Sequence, residues 1–219
     1  MAIDRALLTA ARSPAIRLYA WTPPGVSLGW FQRRVDLAPF RRAGYQVVRR
    51  ITGGGAVVHH HEVTYTVLLP TSHPLIHGRS ILETYGVIHA PVREALRALG
   101  IQASDRPGPA RDPREAQPDL CFERSSPFDI VAHGRKIVGS AQRRLPDRLL
   151  QHGSVILEPN PMQPSQPSLS ALAGRPLSPD DVARALADAF GRAFGPLVPD
   201  TLSSDEEAVA TASFEAALA

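Results

Sequence analysis

Three consecutive glycines form the segment whose residue types best suit a ligand-binding turn. They occupy positions 53–55, between a β-branched run at 45–51 and an apolar run at 56–58. Because glycine lacks a Cβ, such a turn can take positive φ values and let backbone N–H groups approach a ligand closely. The preceding Arg49 and Arg50 suit an anionic or carboxylate-bearing ligand. A glycine triplet alone is more often a tight connection, so a second feature is needed to indicate function.

That second feature is a basic and glycine-containing segment at 134–142, followed by Gln-His-Gly-Ser at 151–154. Strand alternation places Lys136, Val138 and Ser140 on one face, so Lys136 would present a cation toward the glycine turn. Judged by itself, this residue would be a solvated strand lysine, because most charged strand residues face water.

Together these two segments resemble the lipoate–protein ligase and octanoyltransferase superfamily, which shares the biotin/lipoate protein ligase catalytic domain. That superfamily carries an R-R-x-[ST]-G-G-[GR]-A-V-x-H element and a later K-[IV]-x-G-S-A element, and both occur here about 80 residues apart. The resemblance extends from Met1 to about Leu157. It implies an α/β (α+β) fold with a mixed, largely antiparallel sheet flanked by helices.

The surroundings of Cys121 resemble those of the cysteine-dependent octanoyltransferases. Those enzymes show C-F-x-x-x-S, then an aromatic and an acid, then G-R-K-x-x-G-S-A-Q and L-Q-H-G-S, and this order is present here. The resemblance implies that Cys121 is a nucleophile and that Lys136 binds the acyl carbonyl or carboxylate, since a nearby cation favours the reactive thiolate. The alternative is a buried structural cysteine.

The resemblance also implies a set of residues around the substrate. Arg50 would either brace the glycine turn or meet a carboxylate or phosphate, and His59 would lie at the pocket rim. His59 and His152 are candidates for the base that accepts the amine proton. The expected substrate-binding residues are Arg50, Gly53, Gly54, Gly55, Ala56, His59, Gly139, Ser140, Ala141, His152 and Gly153.

The implied reaction transfers an octanoyl or lipoyl group from an acyl carrier protein to a lysine of a lipoyl-domain protein, such as glycine cleavage H protein or an E2 subunit. It needs no cofactor. The alternative is an ATP- and Mg²⁺-dependent lipoate ligase acting through lipoyl-adenylate, which Gly55 favours because the ligases prefer glycine there. Only about 60 residues follow Leu157, too few for an accessory domain, although an accessory chain could supply one. A non-catalytic lipoyl-domain binding module is the third reading.

Composition excludes several other classes. No run approaches the roughly 18 apolar residues of a membrane span, and no signal peptide is evident, so we expect a cytoplasmic protein. The net charge of +3 and the scattered arginines do not indicate nucleic-acid binding. The single cysteine excludes an internal disulfide, and three adjacent histidines at 59–61 cannot converge on one ion from a strand, so we expect no metal site.

Hydrophobic periodicity predicts one domain with a helical tail. We expect helices at 1–12, 35–43 and 81–99, the last broken or kinked by Pro91, and a mobile loop at 104–119. The expected strands span residues 16–21, 26–30, 45–51, 64–69, 128–132, 135–142 and 149–157. The catalytic core should comprise residues 1–158. A Pro-rich linker and two C-terminal helices, starting at Ser178 and Asp205, should fill 159–219 and pack on the same domain.

Overall fold

The structure is a computed structural model that describes residues 1–107 and 118–218. Its helices are α1 (Ala2–Ala10), α2 (Ala38–Arg42), α3 (Ile81–Ala98), α4 (Leu169–Ala173), α5 (Pro179–Phe194) and α6 (Ser204–Leu218). Its strands are β1 (Ala15–Tyr19), β2 (Gly25–Leu28), β3 (Gln46–Arg49), β4 (Val57–His59), β5 (Glu62–Pro70), β6 (Ser104–Asp105), β7 (Ile130–Ala132), β8 (Arg135–Arg144) and β9 (Arg148–Ile156). A short 3₁₀ helix spans Cys121–Glu123.

Two sheets carry the architecture. The larger has the order β1-β5-β9-β8-β7-β6, and each neighbouring pair is antiparallel. The smaller has the order β3-β2-β4, in which β2 and β3 are parallel and β2 and β4 are antiparallel. The predicted fold class, a mixed and largely antiparallel sheet flanked by helices, is therefore confirmed.

One face of the large sheet packs on α3 and α5. Alternate residues of β5, including Tyr65 and Val67, point into this layer, where the Tyr65 ring lies 5.7 Å from that of Phe190. Helix α5 begins where the sequence predicts. Ser178 and Asp181 form a capping box, and Pro179 occupies the first turn, where a missing N–H costs nothing.

The opposite face of the large sheet packs on α1 and on the small sheet. Leu7 and Leu8 of α1 pack with Leu68 of β5, Leu150 of β9 and Ile51, which follows β3 by two residues. The small sheet has its own apolar cluster around Val26, Phe40 and Val58. The glycine turn connects β3 to β4 and is thereby held against the large sheet.

Three local expectations need correction. Helix α3 is not broken into two pieces at Pro91; it continues through this buried residue, so packing outweighs the lost hydrogen bond to residue 87. Residues 104–105, expected in a loop, form β6 because they pair with β7. Residues 108–117 of that predicted loop lie outside the described part of the chain. The predicted linker at 159–176 contains α4, whose Leu169 is fully buried.

No helix within the described residues is long and apolar enough to cross a membrane.

A buried polar layer crosses the sheet on its helical side. The Ser140 hydroxyl lies 2.7 Å from the Tyr65 hydroxyl and 3.0 Å from Nε2 of His89, and Gln151 donates to the Tyr65 oxygen at 3.1 Å. Burial lowers the pKa of His89 to about 3, with a smaller contribution from the nearby Arg93 charge. The Ser140 and Tyr65 hydroxyls therefore find their partners within the layer, as burial requires.

We predict that this histidine makes the fold acid-sensitive. Below its unfolded pKa of about 6.5, the unfolded chain binds a proton that folded His89 refuses, so stability falls as pH drops from 6.5 toward 3. The contribution is about 2 kcal/mol between pH 7 and pH 5. His89→Gln should flatten the dependence of the unfolding free energy on pH, measured by urea denaturation. The matched control is His77→Gln at an exposed position. Equal slopes for His89→Gln and wild type would contradict the prediction.

Candidate active site

Cys121 is placed by backbone pairing with the residue that follows the glycine turn. Its N–H donates to the carbonyl of Ala56 at 2.7 Å, and the N–H of Ala56 donates to the carbonyl of Asp119 at 2.8 Å. The cysteine opens the 3₁₀ helix and is half-buried. The backbone of Cys121 is therefore anchored at the point where the glycine turn ends and β4 begins.

Lys136 is the only lysine in a chain with 24 basic residues. Its ammonium group is buried and meets three acceptors: Oδ1 of Asp129 at 2.7 Å, the Cys121 carbonyl oxygen at 2.9 Å and the Cys121 Sγ at 3.5 Å. The Phe122 ring lies on another side, 5.3 Å from Nζ. The two residues predicted to be catalytic are thus in direct contact.

A β-bulge turns Lys136 toward this site, and the predicted strand face was wrong. Val131 pairs with Lys136 whereas Ile130 pairs with Val138, so Ile137 is the extra residue on β8. The extra residue reverses the alternation, as bulges do. Ser140 and Val138 consequently face the helical side of the sheet, while Lys136 faces the thiol side.

Asp129 is a site residue to which the sequence analysis assigned no role. It is 2% exposed and its carboxylate binds Lys136 through Oδ1. Its Oδ2 accepts from Nε of Arg106 at 3.1 Å and from the Ser126 backbone N–H at 2.9 Å. The acid of the cysteine-containing motif was the available signal for it, but the motif did not show which cation it would meet.

Arg50 contacts the glycine turn as a bracing residue would. Its guanidinium donates to the carbonyls of Ser27 at 2.8 Å and of Gly53 and Gly55 at 2.7 Å each, and Nε also reaches Thr52. The side chain is buried, and burial lowers its pKa. These contacts direct the N–H groups of the guanidinium at the turn itself.

The glycine turn has the conformational and steric need for glycine that the sequence suggested. Gly54 has φ of 94°, a region that other residues rarely adopt. A Cβ on Gly55 would lie 2.5 Å from Nε of Arg124 and 2.8 Å from the Asp119 carbonyl oxygen. The absence of a side chain at Gly55 is therefore what lets the cysteine-bearing segment lie against the turn.

His59 is held in a buried hydroxyl–histidine–carboxylate chain. Its Nδ1 lies 2.6 Å from Oε1 of Glu62, its Nε2 lies 2.7 Å from the Ser27 hydroxyl, and its ring stacks on Trp21 at 3.9 Å. A carboxylate only accepts, so Nδ1 donates a hydrogen bond to Glu62. Both ring nitrogens are therefore engaged, and the adjacent His60 and His61 lie away from this chain, against each other.

His152 forms a second chain of the same kind. Its Nδ1 lies 3.0 Å from Oδ2 of Asp4 and its Nε2 lies 2.6 Å from the Thr52 hydroxyl. Burial lowers the pKa of His152 although Asp4 opposes that shift. Burial alone would raise the pKa of Asp4, but the hydrogen bond and charge of His152, with the N-terminal amine and Arg17, hold it well below its usual range. This chain connects α1, β9 and the glycine turn.

A narrow, largely apolar slot of about 40 Å³ lies between the glycine turn and strands β8 and β9. Most of the predicted site residues line it: Arg50, Gly54, His59, Cys121, Gly139, Ser140, Ala141, His152 and Gly153. Ala56, Gly53, Gly55 and Lys136 do not line it. A Cβ on Gly139 would lie 2.9 Å from Cε of Lys136 and 3.4 Å from the Cys121 Sγ, so the space beside this glycine is taken by the two catalytic candidates.

Within the described residues, no group of three or more His, Cys, Asp or Glu side chains is arranged to hold a metal ion.

The segment that contains these site residues is similar in sequence to known proteins. A model of the lipoyl protein ligase A/B catalytic domain matches residues 1–166. Octanoyltransferase LipM of Kyrpidia tusciae is 38% identical over an alignment of 242 positions, gaps included, which covers 96% of this chain and 88% of the relative. Octanoyltransferase LipM of Moorella thermoacetica is 41% identical over 167 residues, covering 73% of this chain and 61% of the relative.

Solved structures agree with these sequence relatives. A structure from T. acidophilum, described as a lipoate protein ligase with bound lipoic acid, superposes with a TM-score of 0.80 at 25% identity and covers 98% of this chain and 88% of its own. Lipoate-protein ligase A bound with ATP gives a TM-score of 0.75 at 25% identity, covering 98% and 87%. Since the family model matches well over half of the residues, the chain belongs to the lipoyl protein ligase A/B catalytic domain family.

Proposed function

We propose that this protein is an octanoyltransferase that moves an octanoyl group from a carrier-protein thioester to a lysine of a lipoyl-domain protein, through an acyl-enzyme on Cys121. The observation that carries the proposal is the contact between the Cys121 thiol and the ammonium group of the chain's only lysine, at 3.5 Å, beside an apolar slot. The octanoyltransferases among its relatives support it.

In the first half-reaction, the Cys121 thiolate attacks the carbonyl carbon of the donor thioester. A new C–S bond forms to Cys121, the old C–S bond breaks, and the donor leaves as a thiol after taking up a proton. The Lys136 ammonium favours the thiolate and can stabilise the oxyanion that forms on the way. The slot is narrow in this state, so holding an eight-carbon chain requires it to widen.

In the second half-reaction, the amine of the acceptor lysine attacks the thioester on Cys121. An amide forms, the thiolate leaves, and one amine proton must go to a base. His59 and His152 were the candidates for that base, but both ring nitrogens of each face a hydroxyl and a carboxylate. Their contacts support a framework role, and the Cys121 thiolate itself can take the proton.

The ATP-dependent ligase is the second candidate, because one similar structure is a ligase bound with ATP. Gly55 was the position in this chain that favoured it. The close packing of Arg124 and Asp119 against Gly55 supplies a structural reason for that glycine, so it no longer favours the ligase. The transferase reading requires no cofactor, whereas the ligase would use ATP and Mg²⁺.

The partners we propose are an acyl carrier protein as donor and a lipoyl-domain protein as acceptor, met in the cytoplasm. A solved relative of this fold was described as a two-part lipoate protein ligase together with its E2 lipoyl domain. The apolar slot accounts for the acyl chain, but the recognition of either protein must come from surfaces outside it.

We predict that Cys121 becomes acylated. Incubating the protein with octanoyl carrier protein should add one octanoyl mass that neutral hydroxylamine removes, as expected of a thioester. Cys121→Ser should acquire no hydroxylamine-sensitive mass and should transfer octanoate to a lipoyl domain at less than about 1% of the wild-type rate. Circular dichroism and thermal melting of the variant control for folding.

The same assay separates the two candidate functions. Free octanoate with ATP and Mg²⁺ should leave the acceptor unmodified, because a transferase cannot activate a free carboxylate. ATP-dependent modification with release of AMP, at equal rates in wild type and Cys121→Ser, would establish the ligase and return Cys121 to a packing role.

We predict that Lys136 acts as a point charge at the thiol. Lys136→Ala should lower kcat/KM about 100-fold or more, the cost of removing one oxyanion-type donor. It should also slow the alkylation of Cys121 by iodoacetamide at neutral pH, because the thiolate loses its cation. Lys136→Arg should remain impaired, since a planar guanidinium cannot reproduce the three contacts of an ammonium group.

Arg143→Gln on the same strand, at an exposed position, is the control. Wild-type kinetics in Lys136→Ala would make this lysine purely structural.

A further inference from the structure

A second cavity, larger and more polar than the acyl slot, lies on the other side of Cys121 and Lys136. Its volume is about 320 Å³. It lies between the segment after Cys121, the start of β8 and the loop that precedes α4. Charged side chains from Arg106, Glu123, Arg124, Arg135 and Lys136 line it within the described part of the chain, together with the amides of Gln163 and Gln166.

The described residues that line this cavity carry an excess of positive charge. Among its described residues, four are cationic and one, Glu123, is anionic. Asp129 lies behind the wall and neutralises part of this charge by binding Lys136 and Arg106, so an excess remains even when it is included. Arginine forks of this kind match phosphate oxygens better than they match neutral groups.

The cavity and the acyl slot meet at the reacting atoms. Cys121 lines the slot, Lys136 lines the cavity, and their Sγ and Nζ atoms are 3.5 Å apart. A thioester bound with its carbonyl at this contact would therefore extend in two directions. Its apolar acyl chain would lie in the slot and its thiol-side arm would lie in the basic cavity.

We propose that the basic cavity binds the phosphate-bearing arm of the thioester donor, an inference that rests on the proposed transferase function. The arm of a carrier-protein thioester is a pantetheine chain that ends in a phosphate ester. The arginines suit that phosphate, and the side-chain amides of Gln163 and Gln166 suit the two amides of the arm. The cavity thus selects the donor by its leaving group, the phosphopantetheine thiol, and not by its acyl chain.

Arg135 is the residue that tests this assignment best. It is exposed, and its guanidinium donates to the backbone carbonyl of Ser165, at the cavity wall. Unlike Arg106, it does not contact Asp129, so its replacement leaves the ion pair of Lys136 in place. The neighbouring Arg124 packs against Gly55 and its loss would disturb the glycine turn.

The experiment compares two octanoyl thioesters that differ by one phosphate: octanoyl-4′-phosphopantetheine and octanoyl-pantetheine, each with a lipoyl domain as acceptor. Wild type should prefer the phosphorylated ester in kcat/KM. Arg135→Gln should reduce kcat/KM for the phosphorylated ester about tenfold more than for the other, the effect of losing one charge-assisted contact. Arg143→Gln, which lies on the same strand outside the cavity, should keep the wild-type preference.

The outcomes separate this inference from the function on which it rests. If wild type has the same kcat/KM for both esters, or if Arg135→Gln lowers kcat/KM equally for both, the transferase function stands and the cavity does not recognise the phosphate. If wild type uses neither ester but modifies the acceptor with octanoate and ATP, both proposals fail. A higher KM for ATP in Arg135→Gln would then assign the cavity to the nucleotide.

Discussion

The site depends on one constraint: a buried ammonium group must be surrounded by acceptors. Removing a lysine charge from water costs several kcal/mol unless it is paired and fully hydrogen-bonded. Lys136 meets that requirement with the Asp129 carboxylate, the Cys121 carbonyl and the Cys121 sulfur, one for each N–H of the ammonium group. The same three contacts fix the thiol, because satisfying the lysine draws the cysteine-bearing segment onto β8.

A second set of buried polar groups fixes the other wall of the site. The chains Ser27–His59–Glu62 and Thr52–His152–Asp4 each run from a hydroxyl through a histidine to a carboxylate, and Arg50 ties the carbonyls of the turn together. Buried networks of this kind rigidify a structure only when each member is satisfied. The turn is thus held from the small sheet, from β9 and from α1, which leaves the slot between two braced surfaces.

Among the described residues, the sequence predicted five of the six helices, most strands, the fold class and the proximity of the glycine turn to β8 and β9, because periodicity and ordered motifs report local structure and shared ancestry. It could not predict the contacts that depend on tertiary pairing. Strand alternation cannot reveal the bulge at Ile137, which is why Lys136 was predicted to share a face with Val138 and Ser140. Asp129 and His89 were missed because a buried polar residue reveals its role only through partners distant in the chain.

The contacts of residue 136 explain why this position holds a lysine and not an arginine. Every other residue among the 24 lysines and arginines of the chain is arginine, including Arg50, whose planar guanidinium binds several carbonyls around the glycine turn. At Lys136 three acceptors converge on one point, with Gly139 supplying the space that Cε fills. An ammonium group fits that geometry and a guanidinium does not. It also follows that the chain displays no exposed lysine amine, so no side chain of this residue type on its own surface can compete with the acceptor for an acyl group held on Cys121.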